Sequence, residues 1–133
     1  MKARIIRIVL VLSCVLSSAN AGATTCVSNK KFKIRQVCGR VTDPSNVPIP
    51  MVNVELLDTH SVALQQVPTD EDGIFTLQNV AKGEYAIQIR FAGVATGWQP
   101  FIVTQHRSSA GCKKPMLVGL EPAGRCSSVS KPK

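Results

Sequence analysis

The chain is short of several things at once. In 133 residues it has one Trp, one Tyr, four Phe and two His, and only 18% of its residues are charged. The two histidines, His60 and His106, stand far apart, whereas a metal site needs three or four converging ligands, usually some at short spacing. No metal and no cofactor is therefore expected. Aromatics are too few for a multi-ring sugar platform. Only Phe32 lies within the basic run at 30–35, so base stacking has little to build on and no nucleic-acid partner is expected. The absence of G-x-S-x-G removes the hydrolase nucleophile elbow. The absence of C-x-x-C removes a zinc knuckle and a thioredoxin-like redox pair. No ten-residue stretch free of Gly and Pro carries a helical period. The length fits one domain, since domains cluster at roughly 100–150 residues.

What is present begins with a leader. Lys2 and Arg4 precede an almost wholly apolar run from Ile5 to Leu16 that Arg7, Ser13 and Cys14 interrupt, followed by small residues ending Ala19-Asn20-Ala21-Gly22-Ala23. A basic start, a short apolar core and an A-x-A site describe a secretory signal peptide over residues 1–23, with Ala19-Asn20-Ala21 and Ala21-Gly22-Ala23 both fitting the cleavage pattern. The apolar run is well short of the ~20 residues of a spanning helix, so no stable membrane span is expected after cleavage. Val11-Leu12-Ser13-Cys14 only loosely resembles a lipobox, and lipid anchoring through Cys14 is not expected. Without the leader, thirteen basic residues face eight acids. Several sit at the ends: Lys30, Lys31, Lys33 and Arg35 in a basic segment at 24–36, and Lys131 and Lys133 in a polar tail at 123–133. They read as solvated termini, or as a surface attracted to an anionic cell envelope.

Export changes how the cysteines read. The mature chain keeps Cys26, Cys38, Cys112 and Cys126, an even count that in a small exported domain implies two disulfides. Three pairings are open. Two cysteines precede residue 39 and two follow residue 111, so bridges across that gap would tie the first strand to the last and close long loops, worth about 4–5 kcal/mol each in the chain-entropy account. The local pairs 26–38 and 112–126 would stabilise less. Cross-terminal pairing is the expectation.

Between residues 36 and 121 a two-residue period dominates. Val52, Val54 and Leu56 alternate with Asn53 and Glu55; Phe75 and Leu77 flank Thr76; Tyr85, Ile87, Ile89 and Phe91 alternate with Ala86, Gln88 and Arg90. Phe101 with Val103, then Met116, Val118 and Leu120, continue it. Such alternation puts one face on a core and one in water. Turn signals interrupt it at Asp43-Pro44-Ser45-Asn46, Asp70-Glu71-Asp72-Gly73, Lys82-Gly83-Glu84, Ala92-Gly93 and Thr96-Gly97. Asp72-Gly73 reads as a hairpin turn rather than part of a calcium loop, because the flanking acids of such a loop are missing. Pro48 and Pro50 confine residues 47–50 to a loop or an exposed edge. Five to seven short strands with frequent turns predict an all-β sandwich.

Three blocks here resemble the carboxypeptidase regulatory-like domain family. They are Gly39-Arg40-Val41-Thr42-Asp43 continuing into Val47-Pro48-Ile49-Pro50-Met51-Val52-Asn53-Val54-Glu55-Leu56, then Thr69-Asp70-Glu71-Asp72-Gly73-Ile74-Phe75-Thr76-Leu77, then Lys82-Gly83-Glu84-Tyr85-Ala86-Ile87. They occur in the family's order over about residues 38–121. Met51-Val52 stands where Gly-Ala is usual, and Lys82 where Pro is. The resemblance implies a seven-stranded antiparallel Greek-key β-sandwich of transthyretin-like, carbohydrate-binding-like fold over residues 37–122. It also implies a non-catalytic accessory role.

The expectation is thus an exported, disulfide-stabilised module that binds or supports structure at the cell envelope or outside the cell, with an unknown protein or glycan partner and no catalytic residues. Two alternatives from other classes accompany it. One is a carbohydrate-binding module using Trp98, which sits in the turn-rich Ala95-Thr96-Gly97-Trp98-Gln99-Pro100 and is the one candidate ligand contact, unless it caps the core instead. The other is a small secreted hydrolase using His60 and His106 in loops.

Overall fold

In the computed structural model the described residues are 28, 30–92, 94–105, 111–121 and 126–133; the leader at 1–23 lies outside them. Among the described residues there are nine strands and no helix: β1 (Phe32–Ile34), β2 (Val37–Thr42), β3 (Asn53–Leu57), β4 (Ala63–Pro68), β5 (Ile74–Leu77), β6 (Gly83–Phe91), β7 (Val94–Val103), β8 (Met116–Gly119) and β9 (Ser128–Ser130). They form a five-stranded sheet in the order β1-β7-β6-β3-β4 and a four-stranded sheet in the order β5-β2-β8-β9.

The alternation becomes the core directly. Val54 and Leu56, Ile87 and Ile89, Phe101 and Val103 come from the first sheet; Val41, Phe75, Leu77, Met116 and Val118 come from the second. All are buried in one apolar cluster between the sheets, where every side chain removed from water contributes on the order of 1.5–3 kcal/mol. Phe101 is fully buried, with the rings of Phe32 and Tyr85 each 6.3 Å from its own. The period fails at Phe91, Ala86 and the buried Glu55. Phe91 is exposed, because the register shifts between Gln88 and Arg90 and the β6–β7 hairpin runs on past the core. Ala86, expected in water, is buried in a row beside Leu57 and Pro100.

The seven-stranded antiparallel expectation is corrected on two points. Strands β2 to β8 are seven and fall within residues 37–122, but the flanking segments add β1 and β9, each only three residues long. So short a run carries no readable period. In addition both sheets are mixed: β1 runs parallel to β7 with Phe32 opposite Phe101, and β2 runs parallel to β8 with Gly39 opposite Met116. A strand alternates in the same way whichever direction its neighbour runs, so periodicity is blind to orientation.

Three turns share one construction. In Asp43–Val47, Asp58–Val62 and Asp70–Ile74 the first carboxylate accepts the backbone N–H groups two and four residues on, at 2.8 to 3.0 Å. The backbone N–H of the first residue donates to the fifth carbonyl, and the fourth N–H donates back to the first carbonyl. The fourth residue must be left-handed, and Asn46, Ser61 and Gly73 have φ of 67°, 63° and 70°. Gly73 is additionally held by space: a Cβ there would lie 2.5 Å from the Val41 carbonyl oxygen. The Asp58 turn was not legible beforehand because it contains neither Gly nor Pro.

Asp58 carries a pH prediction. The Val62 N–H bond, which outweighs the opposing effect of desolvation, holds its carboxyl below the ordinary carboxylate value, and the His60 N–H bond and the nearby His60 charge add to it. A lowered folded-state pKa stabilises fully above the unfolded value, and that contribution disappears as pH falls through the folded value. The stability gap between wild type and D58N should therefore be widest near neutral pH and close in acid below the ordinary carboxylate range. Urea midpoints of the two proteins between pH 7 and pH 2 measure it; a gap that does not move with pH contradicts the assignment.

Candidate functional site

The residues singled out in the sequence do not assemble into one site. Cys38 and Cys112 form a disulfide across 74 positions, with Cα atoms 5.8 Å apart. It joins β2 to the segment that leads into its parallel neighbour β8, so the local pairs 26–38 and 112–126 are not made. Cys126 is also disulfide-bonded, while Cys26 lies outside the described residues. His60 is an exposed turn residue whose Nδ1 lies 3.4 Å from the Thr59 hydroxyl, and His106 lies outside the described residues.

Trp98 needs correcting. It lies within β7 opposite Gln88, not in a turn-rich connection, and its carbonyl accepts the Ser28 N–H at 3.2 Å. Its position alternates with Phe101, which faces the core, so Trp98 is on the outer face of the sheet and is not packed against the core cluster. The side chain is half-buried, and its indole N–H is buried with no hydrogen-bond partner. Two glycines and a Thr nearby suggested a turn; pairing with β6 overrode that local preference.

A different site emerges from the topology. Strands β1 and β7 run in parallel and end together, at Ile34 and Val103. At the same end β2 and β8 begin, while β9, antiparallel to β8, finishes there. The segments just beyond these strand ends enclose a cleft of about 630 Å³. Lys33 comes from β1 and Arg35 from the β1–β2 connection, Lys113 and Lys114 from the approach to β8, and Lys131 from just past the end of β9. Ile34, Gln36, Thr104 and Pro132 complete the wall, so among the described residues it contains no acid and no aromatic.

The frame is held in place while the charges are not. Thr104 donates its backbone N–H to the Ile34 carbonyl at 2.9 Å and its hydroxyl to the same oxygen at 3.2 Å. Gln36 Nε2 donates to the Gly111 carbonyl at 2.6 Å, and the Cys38–Cys112 bridge sits one residue from Lys113. All five cationic side chains are exposed, and none forms an ion pair among the described residues. Five of the eight acids are engaged elsewhere. Glu84 pairs with Lys31 at 2.8 Å. The buried Glu55 accepts from Arg90 Nε at 2.9 Å and from Gln66 at 3.2 Å. Asp43, Asp58 and Asp70 close the three turns. Five like charges around one concavity make a positive potential that reaches about 8 Å at physiological salt.

No group of His, Cys, Asp and Glu suited to a metal occurs among the described residues, and no helix there is long and apolar enough to cross a membrane. The two packed sheets, the strand-end cleft and the bridge define a β-sandwich module whose concave surface is cationic. The chain belongs to the carboxypeptidase regulatory-like domain family, whose model matches residues 36–110, more than half of its length. A search of curated proteins finds no match. The family match includes Gln36 and Thr104 but stops short of Lys33, Arg35, Lys113, Lys114 and Lys131. The charge of the cleft is therefore contributed by what this chain carries outside the matched part.

Proposed function

We propose that the chain is an exported, non-catalytic β-sandwich module that binds a partner at the cell envelope or outside the cell. The observation that carries this reading is the Cys38–Cys112 disulfide, since such bonds persist in oxidising compartments and staple small exported domains. The secretory pattern at 1–23 and the family membership support it. On this reading Cys126 takes Cys26 as its partner and both bridges tie the flanks of the sandwich together. The binding surface is formed by segments at a strand end, where a rigid scaffold commonly carries function. The module's architecture is the transthyretin-like Greek key that the family resemblance implies.

Neither alternative gains support. A sugar-stacking tryptophan needs an open ring face, and Trp98 is half-buried in mid-strand. For a hydrolase, His60 is an exposed turn residue and His106 lies outside the described residues.

Non-reducing peptide mass spectrometry of protein recovered from its native host tests the reading. The expected result is a mature N-terminus at Gly22 or Thr24, linked peptides for Cys38–Cys112 and Cys26–Cys126, and no lipid. Cytosolic protein retaining Met1 with all its thiols reduced would overturn it.

A further inference from the structure

We propose that the cleft at the β1–β7 end binds a small ligand carrying two or more phosphate groups. This names the ligand class for the binding module proposed above and rests on that reading.

Charge comes first. Lys33, Arg35, Lys113, Lys114 and Lys131 arrive from three separated stretches of chain and face one cleft without a compensating acid. A phosphate monoester carries roughly −1.5 to −2 at neutral pH, so two of them approach the charge the cleft presents, whereas carboxylates and sulfate esters bring one charge each. Donor type agrees. Lysine ammonium groups act as point charges on phosphate oxygens, and the Arg35 guanidinium can engage two of those oxygens together.

The composition of the wall narrows the class further. Among the described residues it has no aromatic on which a sugar ring or a base could stack, and no carboxylate to accept from sugar hydroxyls or an amine. Recognition there is by charge. A volume of about 630 Å³ falls within the range of small-molecule sites, roughly 300–1,000 Å³. The frame is set before any ligand arrives, through the bridge beside Lys113, the Thr104–Ile34 hydrogen bonds and the Gln36–Gly111 contact. Fixing the geometry beforehand lowers the cost of binding.

The test uses the purified, disulfide-intact mature chain and isothermal titration calorimetry with inorganic pyrophosphate and tripolyphosphate. Saturable binding near one ligand per chain is expected, weakened at least tenfold in K113A/K114A. The charge-matched K30A/K82A, which removes two lysines outside the cleft, should change the affinity less than twofold. All four side chains are exposed, and matching thermal midpoints check that each variant is folded. Equal weakening by both double variants, or no saturation, would assign the effect to net charge alone and overturn the proposal. Tighter binding of a heparin or RNA fragment, lost in the same cleft variant, would overturn it in favour of an extended polyanion.

Vesicles of phosphatidylcholine with phosphatidylinositol bisphosphate, whose headgroup carries two phosphate monoesters, set against vesicles with phosphatidylglycerol, distinguish the sources. Sedimentation with the bisphosphate lipid that pyrophosphate displaces assigns a lipid headgroup, and binding of the soluble anions alone assigns a free ligand. Both results support the class. Failure here leaves export and the disulfides untouched, because those are read on protein from the host.

Discussion

Replacing Cys38 and Cys112 together by alanine is expected to lower the unfolding free energy by about 3 kcal/mol, near the figure the chain-entropy account assigns to a loop of roughly 15–30 residues. The bridge joins positions 74 apart, but the proposed Cys26–Cys126 bridge already ties the two flanks of the unfolded chain together, so the inner bridge closes only the shorter loop that runs through the outer one. Cys38 is also completely buried. Alanine avoids leaving an unpaired hydroxyl there, as serine would, but removes packing atoms. Domains of this size have about 5–15 kcal/mol in all, so the variant should remain folded with little to spare. Urea unfolding of wild type and C38A/C112A, both with the remaining cysteines oxidised, measures the difference. A loss below about 1 kcal/mol would mean that the loop is already restricted when unfolded. Loosening should also reach the cleft, since Lys113 follows the bridge directly.

The second large effect lies where Gly39 meets Phe75. The two are opposite each other in the β2–β5 pair, and Met116 flanks Gly39 on the other side. The Phe75 ring lies across the glycine: a Cβ on residue 39 would come 2.6 Å from both Cε1 and Cζ, and 2.8 Å from the Met116 carbonyl oxygen. Gly39→Ala is expected to cost about 1–3 kcal/mol by overpacking. Phe75→Ala, which empties the centre of the core, should cost about 3–5 kcal/mol. The double variant should lose less than the two combined, with a coupling of at least about 0.5 kcal/mol, because without the ring most of the clash is gone. Strict additivity would show that the Met116 carbonyl alone sets the need for glycine. Glycine normally weakens a strand, so its presence in mid-β2 reflects this close approach of the ring.

Much of the fold was legible for reasons local to the chain. Val52, Val54 and Leu56, or Met116, Val118 and Leu120, announce a buried face through their spacing alone. Asp70 and Gly73 announce a turn because one supplies an acceptor for backbone N–H groups and the other tolerates positive φ. The Asp58 turn uses the same hydrogen bonds but places Ser61 in the left-handed position, a choice that composition does not flag. Trp98 misled for the opposite reason. Its Gly- and Thr-containing neighbourhood looks like a turn, yet pairing with β6 draws it into a strand.

The cationic cleft shows where local reasoning stops. Lys33 and Arg35 on one flank and Lys131 on the other resemble ordinary solvated ends, and Lys113 with Lys114 resembles a charged loop. Their common property is visible only once β1 ends beside β7 and β9 returns beside the start of β8. The same holds for Cys38, whose partner could have been any of three other cysteines.

Two-residue periodicity, turn chemistry and the family motifs depend on neighbours a few residues away, and the amino-acid sequence alone was enough to establish an all-β sandwich of this family. Strand direction, the addition of β1 and β9, the partner of Cys38 and the meeting of five cations depend on segments tens of residues apart. Contacts of that range leave no local pattern, because they are selected by the packing of the whole sandwich, and only the tertiary structure decided them.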